Sequence, residues 1–251
     1  MKVGIKNSEM RSQSPYSFAG RVLPVAGFLL LILFGGCSDA TEAEDPGSSK
    51  IPGVGSTFST HIYFQNDSIT LEDDVDVVVG AADMIVEGKE RVVQYVADTL
   101  SSLLCYELNG DISIYMKRGT IAGCEVENTW LRFPFGVQGL VEEKLRVTRI
   151  DLEGGPKECL ATWRAEPNGE EVIAVNGHEY RTRKAVAEFI VGGETGDDLS
   201  DSTARVRRYE VWFSPQIGYV VREQITSTIG PLGALDTIGV TRRNLQTFSL
   251  R

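Results

Sequence analysis

The chain has 251 residues, 25 basic and 35 acidic side chains, a net charge of −10 and 42% apolar residues. That length supports one large domain or two small ones, and the acidic excess argues against nucleic acid as a partner. With two histidines, four cysteines and no Cys-x-x-Cys or His-x-x-x-His pair, the chain offers no metal-ligand pattern, and no cofactor fingerprint occurs.

The first element is an apolar run over residues 22–34, preceded by Lys2, Lys6, Arg11 and Arg21 against a single acid, Glu9. It falls short of the ~20 residues that a bilayer-crossing helix needs, and Pro24 and Gly27 weaken it further as a helix. A basic lead and a short apolar core fit a secretory signal peptide, starting at Met1 or Met10. The run ends Leu33-Phe-Gly-Gly-Cys37, which resembles the bacterial lipoprotein signal box, with Phe34 where an aliphatic residue is usual. That resemblance implies removal of residues 1–36 and lipidation (palmitate-type chains) of Cys37. The other reading is an ordinary signal with a plain thiol at Cys37. Ser38, in place of an aspartate, resembles the signal for delivery to the outer membrane. The expectation is a lipid-anchored cell-envelope protein facing the periplasm. Four of the 25 basic and one of the 35 acidic residues precede Cys37, so the mature part carries 21 against 34, a net −13.

Residues 37–55 are rich in Asp, Glu, Ser, Gly and Pro, and this composition predicts a disordered, lipidated tether. A single domain then spans residues 56–251. Its runs are strand-like: residues 57–64, 74–79, 91–96, 103–108, 111–116, 145–150, 160–164, 171–175, 179–191, 205–213 and 219–228, with a last strand or two within 235–250. Turn signals separate them: Asn66-Asp-Ser68, Glu87-Gly-Lys89, Asn109-Gly110, Gly154-Gly-Pro156, Pro167-Asn-Gly169, Asn176-Gly177 and Ser214-Pro-Gln-Ile-Gly218. The strongest hairpin signal is Asn109-Gly110, because Asn-Gly tolerates positive φ at both turn positions. Residues 82–90 and 141–145 are the only places for a short helix. The predicted class is all-β with little helix: a curved antiparallel sheet forming a barrel, half-barrel or sandwich.

Cys105, Cys124 and Cys159 remain beyond Cys37. In an oxidising compartment one disulfide and one free thiol is the simplest arrangement, and Cys105–Cys124 closes the shorter loop. The alternative is three buried thiols.

Tyr106-Glu-Leu-Asn-Gly-Asp-Ile-Ser-Ile-Tyr115, Trp130-Leu-Arg-Phe-Pro-Phe-Gly136, Ile173-Ala-Val-Asn-Gly-His-Glu-Tyr-Arg-Thr182 and Trp212-Phe-Ser-Pro-Gln-Ile-Gly-Tyr-Val-Val221 resemble a group of uncharacterised β-rich bacterial lipoproteins. These are akin to periplasmic domains of unknown function related in fold to lipoprotein-carrier proteins. The resemblance implies a curved antiparallel sheet and supplies no catalytic residue.

Chemistry is sparse. The pairs Asp73-Asp74, Glu142-Glu143, Glu170-Glu171 and Asp197-Asp198 place neighbours on opposite faces of a strand, as solvated charge does. Residues 196–201 lack the spacing of a calcium loop, and no Gly-x-Ser-x-Gly surrounds a serine, so His178 and Ser214 form no triad signature. His61 reads as a packed or surface residue. Trp130, Phe133, Trp163, Trp212 and Tyr219 either line an apolar cavity or fill the core. Three functions follow as expectations. The first is a non-enzymatic, membrane-anchored lipoprotein binding an apolar ligand or another envelope protein on its curved sheet. The second is a structural or assembly scaffold with a filled core, and the third a hydrolase of envelope polymers.

Overall fold

The computed structural model describes residues 49–98, 100–136, 139–150, 155–193 and 198–251. The signal segment, Cys37 and most of the expected tether lie outside them. Twelve strands follow in order: β1 (Thr57–Gln65), β2 (Thr70–Val86), β3 (Lys89–Ala97), β4 (Leu100–Tyr106), β5 (Ile112–Ile121), β6 (Cys124–Phe133), β7 (Val141–Arg149), β8 (Lys157–Val175), β9 (His178–Val191), β10 (Arg205–Ser214), β11 (Tyr219–Ile229) and β12 (Asp236–Ser249). Each pairs antiparallel with its sequence neighbour, and β1 pairs with β12, so the sheet closes into a barrel. Closure pairs the two terminal strands that would form the edges of an open sheet. There is no helix among the described residues.

Local sequence explains most of the turns. Glu87-Gly88, Ala122-Gly123 and Asn176-Gly177 each hold two consecutive positive-φ residues, the twist that tight hairpins need. At Asn109-Gly110 only Gly110 has positive φ. Asn109 instead uses its side chain, accepting from the Asp111 N–H at 3.1 Å, and a longer loop results.

Several expectations are corrected. Residues 82–90 and 141–145 are strand and turn, not helix, because β2 runs on to Val86 and β7 begins at Val141. Pro167-Asn-Gly169 is no turn: β8 is one strand, and the extra residues are absorbed by a register shift against β9 between Pro167 and Glu170. β6 was not expected from composition, its alternation being broken at Asn128, which has φ 48°. Residues 50–55, assigned to the tether, pack onto the barrel: Pro52 is buried, and the Lys50 and Gly55 amides donate to Pro215 and Val79 carbonyls at 3.0 and 2.9 Å.

The expected Cys105–Cys124 disulfide is not formed, and Cys105, Cys124 and Cys159 are all buried. Cys105 lies opposite Ser113 on β5, whereas Cys124 lies opposite Ile121. Eight residues of strand, roughly 26 Å, and an intervening strand separate them. A disulfide spans less than about 7 Å between Cα atoms.

The seam between β6 and β7 is short. Among the described residues it pairs only Cys124 with Arg149 and Glu125 with Thr148. Trp163 of β8 reaches across it, its indole N–H donating to the Arg132 carbonyl at 3.0 Å.

Candidate functional site

The five aromatics singled out from sequence do not share one surface. Trp130 and Trp212 pack on the barrel exterior beneath cations: Lys89 lies 5.5 Å from the Trp130 ring, and Lys184 and Arg222 lie 4.5 and 5.4 Å from Trp212. The Trp212 indole also donates to Glu171. Phe133, Trp163 and Tyr219 point inward and are fully buried. They belong to a continuous aromatic column. Trp163 meets Phe133 edge-on at 5.2 Å, Phe135 stacks between Phe133 and Phe213, and Phe213 leads to Tyr106. The Tyr106 and Tyr95 hydroxyls share a hydrogen bond of 2.7 Å, and Phe58 bridges Tyr95 and Tyr219. Burial raises the ionisation of Tyr95, Tyr106 and Tyr219 well above the usual phenol range, so all three stay neutral.

One end of the barrel is covered by the incoming chain. Residues 50–56 run beneath the β10–β11 turn, the Gly218 carbonyl accepts from Tyr106, and the Arg251 amide donates to Ser56. The β4–β5 loop docks at the same end. There Asp111, fully buried, accepts from Arg132 Nε at 2.7 Å, the Gly136 amide at 2.8 Å and Asn109 Nδ2 at 3.0 Å. Beside it Glu107 pairs with Lys89 and accepts from Ser113. Burial alone would raise the Glu107 carboxyl, but Lys89 and Ser113 outweigh it and hold it below the usual range. Shallow pockets flank this rim, one of about 380 Å³ lined by Lys89, Glu107, Leu108, Asn109 and Arg132.

The opposite end differs. Strand alternation turns Leu71, Asp73, Ile62, Phe64, Thr241, Ser227, Arg207 and Arg205 inward, yet Leu71 is 53% exposed, Asp73 is exposed and the others are half-buried. Water therefore reaches the inner wall here. Just below sits a charge cluster that the sequence reading did not select. Glu223 of β11 is 1% exposed and lies directly across from Arg243 of β12, whose Nη1 is 3.2 Å from its Oε2. The approach is not a hydrogen-bonding one, and neither Glu223 oxygen has a hydrogen-bond partner. Arg207 of β10 also acts on this carboxylate, with its guanidinium 5.7 Å from the Tyr209 ring and its Nε buried without a partner. Desolvation dominates, outweighing both arginines, and pushes the Glu223 carboxyl up to about 7.

The signal for this cluster was in the alternation. Glu223 stands between Val221 and Ile225, Arg207 precedes Tyr209 and Val211, and Arg243 precedes Leu245, each charge on the apolar face of its strand. None of the three is among the residues singled out above. Of the acid pairs, Glu170 pairs with Arg181 and Glu171 with Arg222 on the exterior, and Asp197 lies outside the described residues. His61 is half-exposed and paired to Asp74 at 2.8 Å. Among the described residues no group of His, Cys, Asp and Glu is placed to hold a metal ion.

No family model matches the sequence, and no curated protein does. Solved structures with similarity to this chain include the hypothetical lipoprotein YmcC from Escherichia coli, 9% identical, with a TM-score of 0.39 over 76% of this chain and 84% of that one. A second is a candidate lipoprotein from Parabacteroides distasonis, 10% identical, with a TM-score of 0.47 over 80% of this chain and 99% of that one.

Proposed function

We propose that the protein is a lipid-anchored barrel of the bacterial cell envelope, acylated at Cys37, which works as an adaptor or assembly scaffold and not as an enzyme or an apolar-ligand carrier. The observation behind this reading is the aromatic column from Trp163 to Tyr219, which occupies the interior where an apolar ligand would sit. Ser38 after Cys37 supports delivery to the outer membrane, with the barrel on the periplasmic side.

Partner contact then falls to the exterior. Residues 70–77 of β2 pair with β1 but not with β3, whose register starts at Val78, and they carry Glu72, Asp73, Asp74 and Asp76. A free strand edge bearing four acids resists self-association and suits an extended basic segment. Photo-crosslinkers at Glu72 and Asp74 should trap one defined envelope protein, and exchanging the four acids for lysine should abolish the adduct. An unchanged adduct removes this edge from the proposal. Mass spectrometry of the mature protein should find a diacylglyceryl Cys37 as the first residue, and native spectra should carry no additional bound acyl chain. A non-covalent lipid at stoichiometric occupancy would restore the carrier reading.

A further inference from the structure

We infer that the exposed end of the barrel is an oxyanion-binding site, with Arg207 and Arg243 as the cationic ligands of a phosphate or sulfate group and Glu223 as the carboxylate that such an anion displaces. This reading does not depend on the scaffold function. Arg243 on β12 lies against the Glu223 carboxylate at 3.2 Å, and Arg207 on β10, on the same inward face and opposite Ser227, acts on it through space. Both Glu223 oxygens lack hydrogen bonds although the side chain is 1% exposed, and the Arg207 Nε is buried without one. A buried carboxylate in a settled ion pair accepts several hydrogen bonds, because each one left unmade carries the full desolvation penalty. Here the carboxylate balances charge without satisfying geometry.

The chemistry of the ligand follows from that of the site. Arginine presents a planar fork of donors that matches the oxygens of a tetrahedral oxyanion, and two such forks exceed the charge of one carboxylate. Arg207 is half-buried at the end where the inner wall is wet, so an anion entering there meets it before the deeper Arg243. Ile62, Phe64 and Leu71 line the same entry. An apolar tail attached to the anion would lie against them, so an acidic headgroup and a free phosphate share this recognition.

Glu223 couples the site to pH. The charged or titratable groups acting with it are Arg207 and Tyr209 from β10, Arg243 from β12 and Tyr219 at the start of its own strand. The carboxyl titrates at about 7, and a bound anion raises that value further by repulsion. Binding therefore takes up a proton, and affinity rises as pH falls from 8 to 6.

Isothermal titration of the full mature protein in neutral-headgroup micelles, at constant ionic strength, tests this. Sulfate is the first probe because its charge is constant over the range. Wild type should bind it, with affinity about five-fold tighter at pH 6 than at pH 8. Glu223→Gln should bind tightly at both, with the pH dependence gone, and Arg207→Gln should lose binding at both while keeping its β circular dichroism. A second arm compares inorganic phosphate with dihexanoyl phosphatidic acid: tighter binding of the lipid assigns a headgroup, and equal binding a free anion. No sulfate binding by wild type at millimolar concentration overturns the site. Wild-type affinity in Arg207→Gln, or an unchanged pH dependence in Glu223→Gln, does the same.

Discussion

At the scale of single residues, two buried carboxylates behave in opposite ways. Asp111 accepts from three partners, Arg132 through both Nε and Nη2, Gly136 and Asn109, and so ties the β4–β5 loop to the segment after β6. Asp111→Ala removes all three at once and should cost about 3 kcal/mol in urea unfolding. A loss below about 1 kcal/mol would show that the loop is held by other contacts. Glu223 has the reverse effect on stability. Its ordinary value is 4.5, and the folded protein raises it to about 7. Between those limits the folded chain holds a proton that the unfolded chain has released. This group's contribution therefore falls as pH rises from about 4 to about 8, by about 3 kcal/mol. Thermal unfolding across that range should show the decline in wild type and lose that part of it in Glu223→Gln. Cys105 is inert for a related reason. Burial, reinforced by the Glu107 charge, pushes the Cys105 thiol up to about 11, so a thiol reagent should label Cys105 only after unfolding.

At the scale of elements, runs rich in aromatic and β-branched residues between turn signals made β1, β9, β10 and β11 legible. Punctuation was less reliable. Pro167-Asn-Gly169 carries every mark of a turn, yet Pro167 faces Ala185 on β9 and the strand simply bulges past it. A proline and a positive-φ glycine satisfy a bulge as well as a turn, and only the pairing partner decides. β6 escaped notice because Asn128 shifts its inward face by one residue partway along. The interior charges do carry a signal: an ionic residue at an apolar position of a strand, as at Glu223 between Val221 and Ile225, marks an inside charge. The segment under the β10–β11 turn offers a test at this scale. Gly218 has φ +71°, and a Cβ added there would come within 1.9 Å of the Lys50 carbonyl. Gly218→Ala should detach residues 50–55, exposing them to protease and lowering the melting temperature while leaving the strands paired.

At the scale of the whole molecule, closure was beyond the reach of local pattern. β1 and β12 are joined across nearly the full length of the domain, and no spacing in the sequence announces that pairing. Barrel, half-barrel and sandwich share the same strands and differ only in that one seam. Among the described residues the β6–β7 boundary, with two residue pairs and the bridge from Trp163, has the fewest pairs in the closed wall. Hydrogen exchange should be fastest along the unpaired edges of β6 and β7 and slowest in β9 to β11. Uniform protection around the wall would contradict that ranking.

The strap at residues 50–56 also fixes a direction. A chain acylated at Cys37 has twelve residues to Ser49, at most about 40 Å of slack, and it joins the barrel at the end opposite the arginines. With Cys37 acylated as proposed, an extended leash would turn the Arg207 end of the barrel away from its own bilayer. Whatever negatively charged cargo that end receives would be collected from the space beyond the anchor or from a facing surface, and not from the leaflet in which the lipid is rooted.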